Sequence, residues 1–138
     1  MFKELDNNNK EFLRICKQSK FTQDARYFSH LWQGTTIEGY FVENKIVGYI
    51  MYALVKSKNY LRLIYINTDD NEQGKGYGKQ MMDHLFEVAK NRGCEKIMFK
   101  VKKTNPAIKF YEKITPNSIE IQKDDYIVQY FLLKGLLA

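Results

Sequence analysis

The stretch Gln73-Gly74-Lys75-Gly76-Tyr77-Gly78 places three glycines within five residues, between an apolar run at Leu61–Ile66 and a helical pattern at Lys79–Asn91. Glycine admits positive φ and lets a backbone approach a ligand closely. The first N–H groups of a helix lack internal partners and sit at the positive end of its dipole. Glycines at such a strand-to-helix junction therefore suit an anion, phosphate above all. The spacing excludes two familiar phosphate loops. A dinucleotide fingerprint needs Gly-x-Gly-x-x-Gly, and Gly78 falls one position early; a P-loop needs Gly-Lys-Ser/Thr, and Lys79 is followed by Gln80.

Charge gathers around the same run. The chain carries a formal +6, and the segment Asp70–Lys113 holds ten Lys/Arg against six Asp/Glu, so four of the six excess charges lie there. A basic field attracts an anionic ligand, although lysines also serve as ordinary solvated surface. No nucleic-acid recognition motif accompanies the charge. Two cysteines, Cys16 and Cys94, make no disulfide framework and form no metal-like cluster with the two histidines. No window reaches the length of a membrane span, and Met1-Phe2-Lys3-Glu4-Leu5 lacks a secretory apolar region. A reduced, cytoplasmic setting is expected.

The elements that must position the glycine run follow from periodicity. Phe2–Leu5 alternates as a short strand, and Phe12, Leu13, Ile15 and Cys16 share one side of a helix. A second helix is expected over Gln23–Trp32, capped by Thr22 and stopped by Gly34. Thr36–Val42 and Lys45–Val55 read as a hairpin around Glu43-Asn44, followed by a strand at Tyr60–Asn67. Met81, Met82, Leu85, Phe86 and Ala89 form the apolar stripe of a helix from about Gly76 to Asn91, ended by Gly93. Lys96–Val101 is a strand again, which completes a βαβ unit with two parallel strands. A short helix is expected to start at Asn105-Pro106, with Asn as cap and Pro as first helical residue. Ser118–Gln122 and Tyr126–Leu133 close the chain as a hairpin. The fold class is α/β of the α+β kind: a mixed, mostly antiparallel sheet with a central βαβ unit and helices on both faces. Hairpins at both ends argue against a doubly wound parallel sheet.

The glycine run fits the pattern Gln/Arg-x-x-Gly-x-Gly/Ala, and a second segment, Asn105-Pro106-Ala107-Ile108-Lys109-Phe110-Tyr111-Glu112-Lys113, follows about thirty residues later. With these two motifs in this order the chain resembles the GNAT family of acetyl-CoA-dependent N-acetyltransferases, most strongly over Tyr60–Ile114. The hairpin with Ile46-Val47-Gly48-Tyr49-Ile50 is similar to the family's second and third strands. The resemblance implies one N-acetyltransferase domain over residues 1–138, with acetyl-CoA as cosubstrate and no metal. It implies that backbone amides of the stretch Gln73, Gly74, Lys75, Gly76, Tyr77, Gly78 and Lys79 hold the pyrophosphate. Ile66 and Asn67 would splay from the fifth strand and pair with the pantetheine arm, Asn105 would contact the cofactor, and Tyr111 would protonate the departing thiolate. The sequence departs from the family where Ile114-Thr115-Pro116 replaces the common Gly-Phe, and Asn105 stands one residue nearer Tyr111 than usual.

The acceptor implied is a primary amine, on a small molecule or a peptide. A non-catalytic acyl-CoA-binding module and an acetyltransferase acting on charged tRNA are the alternatives, and a homodimer is an open partner. A phenol of pKa near 10 giving its proton to a thiolate of about 8.5 works uphill by about 2 kcal/mol. The base is not singled out: Asp69, Asp70 and Glu72 follow the fourth strand, and Glu38 and Glu43 lie near the hairpin. On pattern alone Tyr111, at helical spacing with Ala107 and Ile114, is also an ordinary core tyrosine, His84 a surface histidine and His30 a structural one.

Overall fold

The computed structural model describes residues 1–25, 34–114 and 116–132. Most of the helix expected over Gln23–Trp32, together with His30, Thr115 and Leu133, lies outside the described residues. Among the described residues, seven strands, β1 (Phe2–Glu4), β2 (Thr35–Val42), β3 (Lys45–Val55), β4 (Tyr60–Thr68), β5 (Lys96–Lys102), β6 (Ser118–Ile121) and β7 (Asp125–Phe131), are hydrogen-bonded in the order β1-β2-β3-β4-β5-β7-β6, a mixed and mostly antiparallel α/β arrangement as expected. The chain divides into two compact units, Met1–Ala53 with Leu63–Leu85, and Leu54–Arg62 with Phe86–Ala138.

In the first unit, β1 (Phe2–Glu4) pairs antiparallel with β2 (Thr35–Val42), and β2 with β3 (Lys45–Val55). The β2–β3 turn is two residues long, and Glu43 and Asn44 take φ of 52° and 65°, the double positive φ that matches strand twist in a tight hairpin. Helix α1 (Lys10–Cys16) starts where Asn9 Oδ1 accepts the N–H groups of Glu11 and Phe12 at 3.0 and 3.1 Å. Its buried Phe12, Ile15 and Cys16 pack with Ile37, Tyr49 and Met51 of the hairpin. Residues 46–53 of β3 are all buried, as befits a strand covered on both faces. Gly48 serves close approach: a Cβ there would lie 2.6 Å from the Asn67 carbonyl oxygen and 2.8 Å from Met81 Cε.

In the second unit, β4 (Tyr60–Thr68) begins with Tyr60–Arg62 in parallel register with Lys96–Met98 of β5 (Lys96–Lys102). β7 (Asp125–Phe131) runs antiparallel to β5 along its whole length and carries β6 (Ser118–Ile121) on its other side. Helix α2 (Tyr77–Asn91), whose residues through Leu85 belong to the first unit, connects β4 to β5; of the stripe read from sequence, Met81, Met82, Leu85 and Ala89 are buried and Phe86 is half-buried. Its end is set by Gly93 at φ 69°, whose N–H bonds Lys90 O at 3.0 Å while Cys94 N–H bonds Ala89 O at 2.9 Å, a left-handed glycine stop.

The last helix, α3 (Ile108–Lys113), begins later than the sequence suggests. Asn105 Oδ1 accepts the Ala107 N–H at 2.9 Å and closes a turn over residues 105–107. Lys109 N–H to Pro106 O at 3.2 Å and Phe110 N–H to Ala107 O at 3.0 Å then wind tightly into the helix. Asn105 is thus a turn former ahead of the helix, and Pro106 precedes its first turn.

Candidate active site

Within the first unit, the end of β4 leads through a 3-10 turn, Asp70–Glu72, into the glycine run and the start of α2. Gly74 and Gly76 adopt φ of 79° and 81°, and a Cβ on either would meet nothing within 4 Å. Their identity therefore answers to backbone conformation, and the space in front of them is open. The Gly76 carbonyl accepts the Gln80 N–H at 3.2 Å, so the N–H groups of Tyr77, Gly78 and Lys79 form the first turn, where a helix has no internal acceptors for them. Positive potential and open amides make this junction suited to a phosphate.

Side chains brace the loop from within. Gln73 Nε2 donates to Thr68 O at 3.0 Å, joining the glycine run to the last residue of β4. Glu72, buried, takes Lys75 Nζ at 2.8 Å on one oxygen and Lys45 Nζ at 2.7 Å on the other. Those two lysines hold the Glu72 carboxyl below its usual range. Tyr77 lies edge-on to Tyr40 at 5.9 Å, and Tyr40 bonds Gln80 through its hydroxyl. Lys79 pairs with Asp83 at 3.0 Å on the exposed face of α2.

The parallel register with β5 runs over Tyr60–Arg62, and Ile66 and Asn67 lie further along β4. Asn67 Nδ2 donates to Ile15 O at 3.2 Å and to Thr22 Oγ1 at 3.0 Å. Thr22, expected to cap a helix whose body lies outside the described residues, gives its hydroxyl proton to Cys16 O at 2.7 Å.

Of the carboxylates named as bases, three are engaged. Asp69 is 1% exposed, accepts Arg14 Nη2 at 2.7 Å and Gln18 Nε2 at 3.1 Å, and is held down to about 2, chiefly by Arg14. Glu72 is paired as above. Glu38 Oε2 meets His84 Nε2 at 2.7 Å and accepts the Tyr52 hydroxyl at 3.2 Å. His84 is thereby not a plain surface histidine, since its ring also stacks on Phe2 with centroids 3.7 Å apart.

Within the second unit, Tyr111 sits on α3, 6% exposed, with its ring 4.5 Å from Phe99 and 5.2 Å from Phe110. Burial pushes its phenol well above the ordinary value. Its carbonyl accepts the Tyr130 hydroxyl at 2.8 Å. Among the described residues, no three His, Cys, Asp or Glu side chains gather to hold a metal, and no helix is long and apolar enough to cross a membrane.

Residues 4–115 match the model of the acetyltransferase (GNAT) family. The chain belongs to that family. This GNAT chain is 31% identical over 83 residues to the [ribosomal protein bS18]-alanine N-acetyltransferase of Haemophilus influenzae, a match spanning 60% of the chain and 56% of that relative. It shares its fold with a Bacillus subtilis acetyltransferase in complex with CoA, at TM-score 0.76 and 16% identity over 96% of this chain and 98% of the other. The ribosomal-protein-S18-alanine N-acetyltransferase from Escherichia coli gives TM-score 0.76 at 17% identity over 95% and 92%. The family match stops at residue 115, so β6 and β7 of this GNAT chain, and Tyr130 with them, lie beyond it.

Proposed function

We propose that this chain transfers an acetyl group from acetyl-CoA to a primary amine, and that the amine is the α-amino group of a polypeptide. The observation that carries the transfer is the pair of left-handed glycines with open space before them at the head of α2. The amides at positions 73–79 would hold the pyrophosphate of the cosubstrate, and the backbone of Ile66 and Asn67 its pantetheine arm. Asn105, committed to its own turn, would contribute through the backbone position it fixes.

In the reaction the amine nitrogen attacks the acetyl carbonyl, the carbon–sulfur bond breaks, and the sulfur leaves with the bonding pair. Tyr111 would give its hydroxyl proton to that sulfur. Its burial raises the cost of ionising the phenol; a thiolate released in the same dry surroundings is raised too, which offsets that added cost. Backbone N–H groups at the end of β4 would face the developing oxyanion.

The choice of amine follows from the engaged carboxylates. Freeing a lysine-type amine of its proton at pH 7 costs about 4.6 kcal/mol, whereas an α-amino group near 7.7–8.0 costs only about 1 kcal/mol. With Asp69, Glu72 and Glu38 committed to cations or hydrogen bonds, an acceptor that deprotonates to solvent is favoured. The Haemophilus relative, named for acetylating an alanine, supports the same class.

The test is thiol release from acetyl-CoA with an alanine-initiated hexapeptide, an Nα-blocked lysine peptide and spermidine. The α-amino peptide is expected to react at least tenfold faster in kcat/KM. Preference for the blocked lysine peptide would overturn the acceptor class, and CoA binding without turnover on any amine would make the chain a binding module. Tyr111→Phe is expected to lower kcat tenfold or more with KM for acetyl-CoA held; an unchanged kcat removes Tyr111 as the acid.

A further inference from the structure

The helix carrying Tyr111 has only six residues, Ile108–Lys113, far shorter than the ~12 residues at which an isolated helix becomes even marginal in water. Its placement must come from outside itself. At its head stands the Asn105 turn, bonded to Ala107 N–H at 2.9 Å. In its last turn the Tyr111 carbonyl accepts a hydrogen bond from the Tyr130 hydroxyl at 2.8 Å, from a residue 3% exposed. The Tyr130 ring is itself locked: Phe86 meets it edge-on at 5.3 Å and Phe99 stacks at 5.9 Å, and Phe99 is the same ring that lies 4.5 Å from Tyr111. Tyr130 sits on β7 directly opposite Ile97 of β5.

We propose that Tyr130 is a positioning residue for Tyr111, fixing the height and rotation of the short helix on the sheet so that the phenol is held where the leaving sulfur departs. The inference rests on the reading of Tyr111 as the acid. The bond is to the backbone of Tyr111 and not to its phenol, so Tyr130 takes no proton in the reaction. It constrains the residue that does. A misplaced donor loses rate steeply, because proton transfer needs hydrogen-bond reach to the departing atom.

The experiment is a double-mutant cycle of Tyr130→Phe and Tyr111→Phe, read as kcat and as KM for acetyl-CoA with an alanine-initiated hexapeptide, at enzyme concentrations high enough that slow variants remain measurable. Tyr130→Phe alone is expected to lower kcat about fivefold with KM for acetyl-CoA within twofold. In the Tyr111→Phe background it is expected to cost nothing further. An equal loss in both backgrounds would mean that Tyr130 supports the fold generally, and would overturn the proposal. No loss from Tyr130→Phe where Tyr111→Phe is slow would overturn it and leave the acid standing; an unchanged kcat in Tyr111→Phe would remove the acid, and the proposal with it. Hydrogen exchange gives an activity-independent readout. Amides of residues 110–114 should exchange at least threefold faster in Tyr130→Phe with those of β5 unchanged, and identical exchange in the two proteins would refute the staple.

Discussion

Arg14 on α1 reaches Asp69, 55 residues further along the chain, with Nη2 and Oδ2 2.7 Å apart. The contact fastens the residue that follows β4 to the first helix, and Gln18 reinforces it from the next turn by donating to Asp69 and accepting the Asp70 N–H at 3.0 Å.

The pair makes a defined contribution to acid stability. Asp69 titrates at about 2 in the folded protein against an ordinary 3.8. Its folded value is depressed, so its stabilisation is complete above the unfolded value and is lost as pH falls from about 4 toward 2. Allowing for the half-exposed Arg14, it amounts to about 1–2 kcal/mol. Urea midpoints should hold between pH 5 and 7 and fall below pH 4. Asp69→Asn should lower the midpoint at pH 7 and flatten that acid-side slope; a slope as steep as wild type would refute the assignment.

Gly48→Ala should destabilise the protein by about 1–3 kcal/mol, because the added methyl has backbone and a packed methionine in its way. Thermal unfolding of the variant reads this directly, and a melting point within 1 °C or so of wild type would show that β3 and β4 separate at little cost.

Gly74→Ala and Gly76→Ala should behave oppositely. Nothing crowds the new methyl at either position, so stability falls only by the cost of a left-handed alanine, about 1 kcal/mol. Affinity for CoA, measured by calorimetry, should drop tenfold or more, since the relaxed backbone no longer aims its amides. Full affinity in both variants would detach the glycine run from the cosubstrate.

The pH–rate profile separates the acceptor classes. For an α-amino acceptor releasing its proton to solvent, kcat/KM for the amine should rise tenfold per pH unit and level off near pH 8, around the α-amino value of about 7.7–8.0. A rise continuing past pH 9 would point to a lysine-type amine instead.

Elements with strong local signals were legible in the sequence. Met81, Met82, Leu85 and Ala89 of the stripe are buried as read, with Phe86 half-buried, and the stop at Gly93 and the β2–β3 turn at Glu43-Asn44 appear as read. Boundaries failed where a side chain competes with the backbone: Asn105 draws Ala107 N–H into a turn and delays α3 to Ile108. The candidate site was legible only in its backbone features. What the sequence could not show is which polar side chains pair with one another. Asp69 with Arg14, Glu72 with Lys45, and Glu38 with His84 are separated by 55, 27 and 46 residues, and no local periodicity links such partners. The same holds for Tyr130 and Tyr111, 19 residues apart and joined by a side-chain-to-backbone hydrogen bond. Free-looking carboxylates in a sequence are candidates for catalysis until their partners are located.

Cys16 and Cys94 are 2% and 1% exposed, and burial pushes the Cys16 thiol upward even as its Sγ–H donates to the Tyr49 hydroxyl at 3.3 Å. Disulfide reagents react with thiolates that they can reach. In the native protein such a chromogenic reagent meets no ready sulfur, so colour formed during turnover counts released coenzyme A, and a second, slower phase of colour reports the moment the fold opens.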